Sequence, residues 1–163
     1  MAKEAEMTVY LMRHARAARR EEWQGEDEAR PLTDKGRREA KNAARFLGRH
    51  CSVDLILSST YDRAAETARI VRGGFDPPPP LQMDARLEPG LKLEGFKTLI
   101  GKYADRDAIL VVGHDPDFTR LVSDLAGGGN FALDKGGLAR VSLDTGAWEA
   151  VVEWLLAPDL YED

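Results

Sequence analysis

Thr8-Val9-Tyr10-Leu11-Met12-Arg13-His14 and Ala108-Ile109-Leu110-Val111-Val112-Gly113-His114 are two short, β-prone apolar runs, each followed by a histidine. Runs with so little polar alternation suit strands covered on both faces, as in α/β sheets. A third run, Asp54-Leu55-Ile56-Leu57, leads into Ser58-Ser59-Thr60. Between the runs lie helical spacings. Ala40, Ala43, Ala44 and Leu47 repeat at i, i+3, i+4, i+7, with Thr33 placed as N-cap. Tyr61, Ala64, Ala65 and Ala68 form a second such set, Phe96, Leu99, Ile100 and Tyr103 a third, and Phe118, Leu121, Val122 and Leu125 a fourth. Gly127-Gly128-Gly129-Asn130 then reads as a helix stop. Leu138–Leu143 and Trp148–Trp154 flank Asp144-Thr145-Gly146 as a hairpin. The pattern predicts an α/β fold: a three-layer sandwich with a mostly parallel central sheet flanked by helices, and a C-terminal hairpin beside it. Pro77–Pro80 is expected to be a stiff extended piece of loop.

Size and composition bound the rest. The 163 residues suit one domain, expected over 8–163, with 1–7 as a loose N-terminal extension and either Met1 or Met7 as the start. The polar, acidic N-terminus does not read as a signal peptide. No apolar run approaches the roughly 20 residues of a membrane span. A lone cysteine, Cys51, forms no internal bridge, which points to a reducing, cytoplasmic setting. The net charge of −5 argues against a general nucleic-acid binder. Gly127-Gly128-Gly129 follows a helix instead of joining a strand to one, so it is no dinucleotide fingerprint.

In open α/β sheets, reactive side chains gather just beyond the carboxyl ends of the strands. Those ends deliver Arg13-His14, Ser58-Ser59-Thr60 and His114-Asp115. Arg16, Arg19 and Arg20 follow His14 closely, and Arg63 lies one helical turn past the second strand. Guanidinium forks match phosphate oxygens. Like charge around a histidine disfavours its protonated form and leaves a ring nitrogen available as nucleophile. His14, His114, Asp115 and Asp117 lack metal-ligand spacing, and the adjoining arginines would repel a cation, so no metal and no cofactor is expected. Trp23, in the polar stretch 21–30, is either a lid contact or simple packing; His50 and Cys51 have no assigned role.

Four segments carry a resemblance. Leu11-Met12-Arg13-His14-Ala15, Pro31-Leu32-Thr33-Asp34-Lys35-Gly36, the Ser58–Ala68 stretch with Arg63 at its centre, and Val111-Val112-Gly113-His114 resemble, in order, the motifs of the histidine phosphatase superfamily, whose fold is phosphoglycerate-mutase-like. The small size, and Gly136-Gly137-Leu138-Ala139 before a closing hairpin, look most like the SixA-type phosphohistidine phosphatases. The resemblance implies His14 as nucleophile, passing through a phosphohistidine, with Arg13, Arg63 and His114 around the phosphoryl group. It implies a phosphorylated protein carrying phosphohistidine, or a small phosphorylated compound, as substrate, with inorganic phosphate as product. Arg16, Arg19, Arg20 and Glu88 are then candidate substrate-binding residues at the mouth.

The departures are specific. Ala15 stands where the family has glycine, so the backbone there should avoid positive φ. Thr60 replaces proline and Glu66 glutamine. Pro89 occupies the position of the acidic proton donor found in larger members, with Glu88 one place early. Glu88, Asp115 and Asp117 remain candidate donors. A site without a dedicated acid favours good leaving groups such as imidazole, whose ordinary pKa is about 6.5, over sugar alkoxides. Two further readings stand beside the phosphohistidine phosphatase: hydrolysis of a phosphoanhydride such as polyphosphate or a nucleotide, and phosphate binding without turnover.

Overall fold

The computed structural model describes residues 6–161. One six-stranded sheet runs through it, in the order β3-β2-β4-β1-β5-β6. The strands are β1 (Glu6–Arg13), β2 (Leu55–Ser58), β3 (Leu81–Met83), β4 (Ala108–Gly113), β5 (Leu138–Asp144) and β6 (Glu149–Leu156). β1, β4, β2 and β3 pair in parallel, and the β5–β6 hairpin adds on antiparallel beside β1. Two of these features extend the sequence expectation. β3 is a three-residue edge strand directly after the proline segment, too short to show a pattern of its own. β1 begins at Glu6, so Glu6 and Met7 belong to the first strand and not to the extension expected over 1–7. Met7 pairs with Leu143 and is buried in the core, which draws it into the strand. Residues 1–5 lie outside the described residues.

Alternate residues of the central strands feed two cores. Val9, Leu11, Leu55, Leu57, Ile109 and Val111 face one side, where Phe96, Leu99 and Ile100 of α3 (Leu93–Gly101) and Phe118, Leu121 and Val122 of α4 (Asp117–Leu125) cover them. Tyr10, Met12, Ile56, Leu110 and Val112 face the other, under Ala43 and Leu47 of α1 (Asp34–His50) and Ala64, Ala68 and Val71 of α2 (Asp62–Arg72). This burial on both faces is why the strands read as unbroken apolar runs. Thr33 caps α1 as expected, its Oγ1 accepting from the Gly36 N–H at 3.0 Å. Gly36 itself answers to close approach, because a Cβ there would stand 2.0 Å from the Arg16 carbonyl oxygen.

The strand order makes a crevice. β1 and β4 are neighbours, but α1 leaves β1 toward one face while α4 leaves β4 toward the other. Such a reversal opens a cleft at the carboxyl ends of the two strands, where α/β sheets bind ligands. No helix among the described residues is long and apolar enough to cross a membrane.

Candidate active site

His14 and His114 sit at matching heights in this crevice. Arg13 is in register with Gly113, and the His14 N–H donates to the Gly113 carbonyl at 3.0 Å. Their rings come to 5.3 Å between centroids. From the next strand along, the Ser59 N–H donates to the Val112 carbonyl at 3.0 Å, and Ser59 Oγ lies 2.7 Å from His114 Nε2. Arg63, in the first turn of α2, reaches back over the same edge. Only 7% of His14, 4% of Arg63 and 2% of His114 is exposed.

A loop from the far side of the sheet completes the floor. Gly136 N–H donates to the carbonyls of Arg13 (3.1 Å) and His14 (3.0 Å), and Arg13 N–H to Gly137 (3.2 Å). Gly136 has φ +75°, a left-handed conformation that glycine adopts without strain. Ala15 donates its N–H to Thr67 Oγ1 at 3.1 Å, and Thr67 Oγ1 donates to the Arg63 carbonyl at 2.7 Å, which ties the loop after His14 to α2. Trp148 is the only non-glycine with positive φ among the described residues, so Ala15 keeps an ordinary backbone despite replacing a glycine.

Hydrogen bonding fixes the His14 tautomer. Its Nδ1 lies 2.7 Å from the Ala15 carbonyl oxygen, which can only accept, so Nδ1 carries the proton and Nε2 keeps its lone pair. Burial, together with the positive charge of Arg63 and Arg13 and the neighbouring His114, holds the His14 pKa down at about 3, against the Ala15 hydrogen bond, which works the other way. Burial and the charges of Arg63 and Arg30 likewise lower His114 to about 4, with Asp27 opposing. Both rings are therefore neutral at neutral pH. His114 Nδ1, Arg63 Nε and Arg13 Nε are buried polar atoms with no protein partner. Unpaired buried polar atoms of this kind are costly unless a ligand meets them.

The mouth is less regular than the floor. Arg16 and Arg13 line a groove of about 570 Å³ with Lys35, Glu39 and Lys135. Arg16 pairs with Glu39 at 3.5 Å. Arg19 is largely exposed and faces Glu22 at 3.9 Å, outside the floor. Arg20 reaches Asp27 at 3.3 Å. Glu88 accepts a hydrogen bond from Thr60, next to Tyr61, whose ring lies 5.2 Å from His114. Of the other carboxylates weighed as donors, Asp117 accepts the N–H groups of Gly90 (2.8 Å) and Leu91 (3.2 Å), fixing the loop after Glu88. Asp115 accepts from the Thr119 N–H at 3.0 Å. Trp23 packs within its own loop, its indole N–H donating to the Glu26 carbonyl at 2.8 Å.

Three residues near the site lay outside the sequence reading. Asp27, in a 3₁₀ turn (Asp27–Ala29), contacts Arg63. Arg30 bonds Asp27 and acts electrostatically on His114. Lys135 is pushed below its ordinary pKa by burial and by Arg13, Arg16, Arg30 and Arg19, which places it in the same field. The one available signal was position: Arg30 abuts Pro31-Leu32-Thr33, and Lys135 abuts Gly136-Gly137. Among the described residues, no group of three or more His, Cys, Asp and Glu is arranged to hold a metal ion.

Comparison with known proteins gives the family and the fold. Residues 9–92 match the family model of the histidine phosphatase superfamily (branch 1). An uncharacterized protein of a Picosynechococcus strain is 37% identical over 127 residues, 75% of this chain and 74% of that protein. The structure of the protein histidine phosphatase SixA complexed with tungstate superposes with a TM-score of 0.85 at 25% identity, covering 96% of this chain and all of that one. A proposed phosphohistidine phosphatase SixA of Agrobacterium tumefaciens gives 0.79 at 26% identity, covering 93% and 99%. A proposed α-ribazole-5′-P phosphatase of Escherichia coli shares the fold, with a TM-score of 0.69 at 21% identity over 93% and 98% of the two chains.

Proposed function

This chain belongs to the histidine phosphatase superfamily, branch 1, and from that membership we propose that it is a metal-independent phosphohistidine phosphatase acting through a phosphohistidine on His14. The observation that carries the reading is the free, unprotonated Nε2 of His14, held among Arg13, Arg63 and His114. A module that only bound phosphate would have no use for a nucleophile fixed in this tautomer.

In the first step His14 Nε2 attacks phosphorus in line and the leaving group departs. Water then attacks the phosphohistidine and releases orthophosphate. Phosphoryl transfer asks mainly for placement and for positive charge on the equatorial oxygens. Arg13 and Arg63 supply donors without a cation other than their own, and neutral His114 adds one in the tautomer whose Nε2 accepts from the Ser59 hydroxyl, which leaves the proton on its unpaired Nδ1. With the Glu88 carboxylate bonded to Thr60, Asp115 to Thr119 and Asp117 to backbone, none of the three candidate carboxyls is committed to protonating the leaving atom. A phosphorylated histidine suits such a site, because its imidazole leaves readily. The whole described chain serves as one catalytic domain, in the cytoplasm, with a phosphorylated protein as partner.

A panel of leaving groups tests this. Phosphoramidates and nitrophenyl phosphate should turn over far faster than phosphoserine or phosphoglycerate. EDTA should leave the rates unchanged, and an acid-labile, base-stable phosphoenzyme should accumulate. Loss of activity on chelation, or equal rates on alkyl esters, would overturn the assignment. The groove carrying Arg16, Lys35 and Lys135 beside Arg13 favours one second reading, a phosphoanhydride substrate with further negative charge beyond the reacting phosphorus. Polyphosphate in the same panel decides between the two.

A further inference from the structure

Arg63 is buried and already engaged. Its Nη1 donates to the Asp27 carbonyl at 2.9 Å, and its Nη2 to Asp27 Oδ2 at 3.2 Å, so both terminal nitrogens are turned toward one residue. The same carboxylate accepts Arg30 Nε on Oδ1 at 3.1 Å and meets Arg20 on Oδ2 at 3.3 Å. Three guanidinium groups thus converge on a single carboxylate, and the cluster keeps a surplus of positive charge. Burial works against ionisation of Asp27. The Arg30 hydrogen bond and the charges of Arg63, Arg30 and Arg20 outweigh it and hold the carboxyl below its usual range, so it is an anion at working pH.

The loop that carries Asp27 is pinned at its base and open at its tip. Ala18 N–H donates to the Pro31 carbonyl at 2.9 Å, Ala17 bridges Leu32, and Arg30 Nη1 donates to the Ala18 carbonyl at 2.7 Å. The Asp27 side chain is one-third exposed, whereas that of Arg63 is 4% exposed. Asp27 can therefore turn into water, while Arg63 has no route away from the floor.

We propose that the Asp27 carboxylate is a built-in competitor for the phosphoryl group, holding the Arg63 guanidinium until a doubly charged phosphoryl oxyanion displaces it. This rests on reading the His14 floor as the phosphoryl site. A phosphoryl dianion brings more charge to the three arginines than the carboxylate it replaces, so it prevails, and a singly charged anion does not. The return of Asp27 opposes retention of orthophosphate. Arg63 is thereby shared between two anions, and the affinity for product is set by their difference.

Calorimetric titration of inorganic phosphate into wild type, Asp27→Asn and Arg63→Gln tests the idea, with Asp27→Ala as a second neutral variant and thermal melts to show that each is folded. A charge-assisted hydrogen bond removed from competition should tighten phosphate binding about tenfold in both Asp27 variants, and product inhibition should strengthen in parallel. Arg63→Gln should lose binding. Unchanged or weaker phosphate affinity in the Asp27 variants, with binding lost in Arg63→Gln, would overturn the competition while leaving the phosphoryl site standing. Full phosphate affinity in Arg63→Gln would instead remove the phosphoryl site, and the competition with it.

Discussion

The floor of the crevice and its rim are built by different forces. On the floor, His14, His114 and Ser59 are set by strand register and main-chain hydrogen bonds, and almost nothing there is exposed. On the rim, the loop over residues 18–30 and the segment around Glu88 are held by side-chain pairs such as Arg20–Asp27 and Thr60–Glu88, in contact with water. Buried, preorganised donors act in a low-dielectric setting where each is strong. Exposed ion pairs contribute little, typically under about 1 kcal/mol. The floor should therefore set the chemistry and the rim only adjust it.

The largest effect should come from the floor. His14→Ala removes the proposed nucleophile and should lower turnover by at least about 10⁴-fold, with no phosphoenzyme trapped from labelled substrate. Near-normal turnover in that variant would break the division at once. Arg63→Gln and His114→Ala keep His14 but each remove one of the proposed donors, and each should cost about 10²–10³-fold in kcat, measured with nitrophenyl phosphate.

Acid stability sharpens the same contrast. The unfolded chain binds a proton on each histidine below about pH 6.5. The folded floor refuses it until about pH 3 for His14 and about pH 4 for His114. Folded pKa values that are depressed make stability fall as pH falls through this window, by about 1.4 kcal/mol per pH unit for each histidine, and leave it flat above pH 6.5. Urea unfolding between pH 7.5 and 4.5 in a phosphate-free buffer should show the slope. His14→Gln should remove half of the histidine contribution, and added phosphate should oppose the loss. A slope the same in wild type and His14→Gln would mean that the His14 ring is not buried neutral.

The rim should respond least. Glu88→Gln should change kcat/KM by less than about fivefold on every leaving group, since no acid is lost. A flat leaving-group dependence in wild type that turns steep in this variant would make Glu88 the proton donor. Arg19→Gln, whose exposed side chain pairs with Glu22, should stay within about twofold.

Much of the floor was legible in the sequence because its cause is local. An apolar run must end where its burial ends, so the residues after Met12 and Val112 had to lie at an edge of the sheet, and Arg13, His14 and His114 with them. The Thr33 cap and the spacing of Ala40, Ala43, Ala44 and Leu47 fixed α1 in the same way. β3 escaped because three residues carry no period, and the first strand was drawn short because Met7 gains its place from Leu143, far along the chain.

The rim was not legible, and the reason is distance along the chain. Asp27 meets Arg63 across 36 residues, and Asp117 holds Gly90 across 27. A loop of mixed charge such as Glu21-Glu22-Trp23-Gln24-Gly25-Glu26-Asp27-Glu28-Ala29-Arg30 offers many possible pairings, and no periodicity selects among them. The sequence by itself determined which apolar runs lead into histidine, where helices lie between them, and that guanidinium groups stand nearby. Only the tertiary structure decided which arginine faces which anion, because those pairings depend on how buried each partner becomes once the sheet has closed the chain around them.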